Sequence, residues 1–124
     1  MLALKPILLV GLGGATGAVM RYLCAQWIPS AKFPYGTFLV NVLGCFAIGI
    51  LLAFSLNSQK ISRELWLFAA TGICGGFTTF SAFSLENVQM LMEGKFLLSF
   101  LYILSSLLLC MGATWLGYKL FAGY

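Results

Sequence analysis

Between Phe33 and Gln59 the chain carries no charged residue. A membrane-crossing helix needs about 20 mostly apolar residues, so this run alone holds one, at about residues 35–56. The remaining charges cut the chain into three more runs of the same kind. Ile7–Ile28 is interrupted only by Arg21, while Leu65–Leu85 and Phe96–Tyr118 carry no charge. The pattern predicts an all-α membrane protein, one transmembrane domain over 1–124, with helices at about 4–28, 35–56, 64–85 and 96–119. Pro29-Ser30 and Pro34, Asn57-Ser58, and Glu93-Gly94 supply turn formers between them. Trp27, Tyr35, Trp66, Trp115 and Tyr118 fall near the span ends, as an interfacial aromatic belt requires.

Composition removes the other classes. Of 124 residues, 61% are hydrophobic and 8% charged, against about 25% charged in a soluble domain. Such a chain cannot cover a water-facing surface, and its partner is membrane lipid. The net charge of +4 comes from basic residues scattered singly. No stripe forms, which argues against nucleic acid. With no histidine and three acidic residues, neither general acid–base nor nucleophilic catalysis finds its groups, so no enzyme is expected. Cys24, Cys45, Cys74 and Cys110 lie far apart with no CxxC spacing and read as small apolar residues. The N-terminal stretch imitates a signal peptide, but the rest of the chain is equally apolar.

Four crossings would place Lys5, Lys60, Arg63 and Lys119 on one side and Arg21, Lys32 and Lys95 on the other. A bias this small scarcely selects an orientation, which leaves insertion both ways, and an antiparallel dimer, open beside one fixed orientation. Four short helices cannot both enclose a pore and pack together, so an oligomer is expected. Gly13-xxx-Gly17 and Gly72-xxx-Gly76 offer small-residue faces for it.

The polar groups within the spans are neutral. Thr37 and Asn41 share a face of the second span, fitting either an interhelical clamp or a functional site. Tyr102, Ser106, Cys110 and Thr114 recur every four residues on the fourth, as helix-packing groups or as a polar track. The third span contains Gly75-Gly76 at mid-membrane, which invites a helix break. Backbone freed there is tolerated only where it is buried in protein or lines a wet cavity. Phe77, Phe80 and Phe83 follow, flanked by Ser81 and Ser84. Plain packing explains such a stripe, yet ring edges are positive and suit an anion. Arg21, the one charge inside a span, can snorkel or fix a helix end, and Glu86 falls near the rim of the third. No carboxylate stands at the midplane, where proton- and cation-coupled transporters need one.

Three motifs occur in order: Gly13-Gly14-x-x-Gly17-Ala18-x-x-Arg21-Tyr22, Gly36-Thr37-x-x-Val40-Asn41-x-x-Gly44, and Gly72-x-x-Gly75-Gly76-Phe77-Thr78-Thr79-Phe80-Ser81-x-Phe83. Together they resemble the Fluc (CrcB-type) fluoride channels. The resemblance implies a passive fluoride-selective exporter in a microbial plasma (inner) membrane that relieves fluoride toxicity, as an antiparallel homodimer with two pores. It implies a third helix broken near its middle, where the backbone carbonyls of Gly75 and Thr78 from both subunits hold a central sodium ion. It places Asn41, Phe80 and Phe83 on the fluoride pathway with Ser81, and Ser106, Cys110 and Thr114 on a hydroxyl track, with Tyr102 toward one end. Arg21 and Glu86 correspond to the family's electrostatic and structural positions. Two departures stand out, Cys110 where a hydroxyl is common and Ala82 where threonine often stands.

The rivals are a small four-helix multidrug or cation transporter and a non-transporting membrane assembly subunit. The first requires an acidic residue in the middle of span one, and Ile7–Met20 contains none.

Overall fold

The computed structural model describes residues 3–29, 32–57 and 61–123. Ser30, Ser58 and Lys60, read above as turn and flank residues, lie outside them. Every regular element among the described residues is helical. Helix α1 spans Leu4–Trp27 and α2 Tyr35–Asn57. The third crossing is in two pieces, α3 at 63–77 and α4 at Phe80–Met92. Helix α5 spans Phe96–Phe121. Among the described residues, four helical stretches are thus long and apolar enough to cross a membrane.

Local chemistry sets the ends. Ile28 precedes Pro29 and takes φ −105°, ψ 105°, because a proline disfavours the helical region for the residue before it. Ser62 caps α3, its Oγ accepting the Leu65 N–H at 3.1 Å. At the end of α4 the Lys95 N–H reaches the Met90 carbonyl at 2.8 Å and the Gly94 N–H the Leu91 carbonyl at 3.1 Å. This double closure requires a left-handed residue, and Gly94 supplies it at φ 75°.

The helices pair through backbone contact. A Cβ on Gly72 would stand 2.8 Å from Gly13 Cα, and one on Gly17 would stand 2.7 Å from Phe77 N. Helices α1 and α3 therefore touch along both glycine motifs. This corrects the expectation that those faces serve an oligomer: the two motifs pack on each other inside one chain. In lipid, close approach of this kind replaces the missing hydrophobic drive. On the other side of the chain α2 meets α5, where a Cβ on Gly49 would lie 3.0 Å from Thr114 Cα and one on Gly117 would lie 3.1 Å from Ile50 N.

The break is real but lies two residues beyond the expected place. Gly75 keeps helical torsions, φ −63° and ψ −39°. Thr78 and Thr79 are extended, at ψ 155° and φ −149° respectively. A glycine pair permits close packing as readily as a break, and Gly76 is used for packing: a Cβ on it would stand 3.1 Å from Ala18 N. Ahead of the break, Leu67–Cys74 take the wider π-helical winding, which is often found beside functional sites.

Candidate functional site

The break must satisfy the backbone groups it frees. Asn41 of α2 takes both polar groups of Thr79, its Nδ2 donating to the carbonyl at 3.1 Å and its Oδ1 accepting the N–H at 2.8 Å. Thr79 in turn caps α4, its Oγ1 accepting the Ala82 N–H at 3.1 Å. Its hydroxyl also meets Ser81 Oγ at 3.1 Å. Arg21 reaches in from α1 and donates from Nε to the Gly76 carbonyl at 3.1 Å. A cation there offsets the negative end of α3 as well as pairing a freed carbonyl. Of the two readings of Arg21, fixing a helix end is the one the geometry adopts.

These bonds have a further effect. In an unbroken helix the Thr79 N–H would close on the Gly75 carbonyl and the Ala82 N–H on the Thr78 carbonyl. Asn41 and the Thr79 hydroxyl take those donors instead. The Gly75 and Thr78 carbonyls are thereby released from the helix ladder.

A groove of about 240 Å³ opens at the level of the break, its wall mostly apolar. Asn41, Phe80, Phe83, Ser106 and Cys110 line it, together with the break residues and Cys45. The rings of Phe80 and Phe83 lie 5.4 Å apart. Ser106 Oγ is buried without a protein partner among the described residues, so it is free to donate into the groove. Thr114 does not line this groove: its hydroxyl bonds the Cys45 carbonyl at 3.0 Å and the Cys110 carbonyl at 3.2 Å. Ser81 is exposed at the first turn of α4.

Tyr102 is fully buried and stands edge-on to Phe83 at 5.0 Å. Its hydroxyl donates to Glu86 Oε2 at 2.7 Å, and Thr37 donates to the other oxygen of the same carboxylate. Glu86 therefore lies inward, held from α2 and α5 at once, and also borders a second, more polar cavity of about 160 Å³ flanked by Lys32, Glu93 and Lys95. Phe33 packs on Tyr102 at 5.0 Å. The rings of Phe33, Tyr102, Phe83 and Phe80 run as one file between the two cavities.

Sequence reasoning passed over Thr79, Cys45 and Phe33. Thr79 was legible as a hydroxyl residue directly before a helical run. Nothing local marks Cys45 or Phe33, whose neighbours come from distant parts of the chain.

A four-helix membrane protein with a side-chain-stabilised break in its third crossing is the class that this fold and groove define. The CrcB-like protein family (Camphor Resistance, CrcB) matches residues 8–118, and the chain belongs to that family. It is similar to the fluoride-specific ion channel FluC of Flavobacterium psychrophilum, 44% identical over 92% of this chain and 94% of the relative. The FluC of Azobacteroides pseudotrichonymphae is 45% identical over 94% and 96%, and that of Rhizobium meliloti 44% over 92% and 94%. The chain is a multi-pass plasma-membrane protein.

Proposed function

We propose that the chain is a passive fluoride-selective channel, exporting fluoride without catalysing a reaction. The observation that carries this is the groove at the break, where a free Ser106 hydroxyl and two phenylalanine rings meet within an apolar wall. Fluoride is small and strongly hydrated. A path must replace its water with several mild donors, or the ion would bind and not leave. Ser106 offers an O–H, and the Phe80 and Phe83 ring edges offer a weak positive surface. Asn41 holds the break in place through both ends of its amide, and the second N–H of its Nδ2 remains a donor at the groove that Asn41 lines. Tyr102 and Glu86 stand where the groove gives way to the polar cavity. The relatives named fluoride-specific channels support fluoride as the ion.

The reading extends to an antiparallel homodimer with two pores. Phe80 is 76% exposed, an aromatic that a second subunit would cover to close the path. A sodium ion at the dimer centre fits the chain's own chemistry. The Gly75 and Thr78 carbonyls are among those released at the break, and a hard cation prefers oxygen ligands of this sort. Bound there, it would supply positive charge that neutralises carbonyl dipoles and joins the subunits.

The test is efflux from liposomes carrying the purified protein, followed with a fluoride electrode and repeated with chloride. Rapid fluoride loss without chloride loss or a proton gradient supports the channel. A folded protein that passes no fluoride would return the chain to the assembly-subunit reading.

A further inference from the structure

The groove contains a second chemistry, that of sulfur. Cys45 and Cys110 are 65 residues apart in sequence, yet both line its wall. The helix crossing forces them together. Thr114 Oγ1 bonds the carbonyls of both residues, and α2 and α5 touch backbone to backbone one turn away at Gly49. One hydroxyl within 3.0 and 3.2 Å of the two carbonyls holds the two residues at the same level of the groove that both line. Met111, a thioether, lines the same groove. Cys24 and Cys74 are not among the groove residues.

We infer that Cys45 and Cys110 form a two-thiol site for a soft, linearly coordinating cation, with Hg(II) as the probe, and that its occupation blocks the groove. Thiolate sulfur selects soft metals over the hard ions that prefer oxygen. Charge decides which complex can exist at this depth. An unpaired ion in an apolar site is costly, but Hg(II) with two thiolates is neutral. On binding, two S–H bonds break, two S–Hg bonds form and two protons leave to water, with no change of oxidation state. The bound metal would lie between α2 and α5 beside Ser106, where it would occupy the space an anion must cross.

The site rests on geometry alone, whereas the block rests on the pathway proposed above. Both are tested on the full-length protein in liposomes. Hg(II) is titrated while free thiols are counted and fluoride efflux is followed, each protein being scaled to its own rate before metal. In the wild type, Hg(II) should remove two free thiols together and abolish efflux, with dithiothreitol restoring both. Cys45→Ala and Cys110→Ser should each lose the paired loss of thiols and the block. Cys24→Ser and Cys74→Ala should keep both. Gel filtration establishes that each variant is folded, and Cys45→Ser and Cys110→Ala stand in for one that is not. Paired binding that survives removal of Cys45 or Cys110 overturns the site, and binding there that leaves efflux unchanged overturns the block. A wild type that passes no fluoride before metal is added would sink the channel reading, and the thiol count would still decide the site.

Discussion

Asn41 grips the Thr79 peptide at both ends, donating to its carbonyl at 3.1 Å and accepting its N–H at 2.8 Å. One side chain on α2 thus keeps a second helix broken, because it supplies the partners that the broken backbone would otherwise find by re-forming a helix. Removing it should cost stability as well as flux. Asn41→Ala leaves two backbone groups unpaired, and about 1–3 kcal/mol of destabilisation is expected for such a loss. A thermal melt in detergent and liposome efflux should both fall.

Phe80→Ile should separate flux from folding. The ring is mostly exposed in the single chain, so its loss removes little packing. Fluoride efflux should drop by about tenfold or more, equivalent to ~1.4 kcal/mol of barrier, with an unchanged gel-filtration profile. Wild-type efflux in this variant would remove Phe80 from the path.

Gly75 and Gly76 are neighbours with opposite tolerance. A Cβ on Gly76 would press against α1, 3.1 Å from Ala18 N and closer still to the Gly14 carbonyl, whereas one on Gly75 meets nothing nearer than the Ala70 carbonyl at 3.9 Å. Gly76→Ala should therefore destabilise the chain itself, by about 1–3 kcal/mol as an overpacked contact. Gly75→Val should leave the chain folded and weaken assembly of the dimer proposed above. Thermal melts and the oligomeric state by light scattering distinguish the two. Equal effects would mean that the pair acts as a flexible hinge.

Tyr102→Phe removes one hydrogen bond to the Glu86 carboxylate and keeps the ring contacts with Phe33 and Phe83. A bond to a charged group contributes about 1.5–3 kcal/mol, so the melting temperature should fall. Fluoride efflux should fall with it, since Glu86 would then be held by Thr37 alone. An unchanged melt would show that Thr37 suffices to hold the carboxylate.

Arg21→Met should free the Gly76 carbonyl and destabilise the chain to a similar degree, again about 1.5–3 kcal/mol. Arg21→Lys should restore part of this, because an ammonium can reach the same oxygen with less fixed geometry. A melt equal to that of Met would mean that position, not charge, is what Arg21 contributes.

The four crossings were legible in the sequence because they depend on local properties. Charge-free runs long enough for a bilayer, and prolines and glycines between them, decide where a helix spans and where it stops. A break in the third crossing was also legible from Gly75-Gly76, but its place was not, since Gly75 keeps helical torsions and the chain opens at Thr78-Thr79. What lies across from each residue was beyond its reach. The two glycine motifs are equally suited to a partner subunit or to each other, and only the packing of α1 on α3 decides for the latter. The break sits at Thr78-Thr79 because Asn41, 38 residues earlier, provides hydrogen bonds at that level and no other. Cys45 and Cys110 read singly as small apolar residues, and come to line one groove only where α2 crosses α5. Hydrophobic length and turn chemistry are written residue by residue, whereas hydrogen-bond partners and thiol pairs depend on which distant helix arrives beside them.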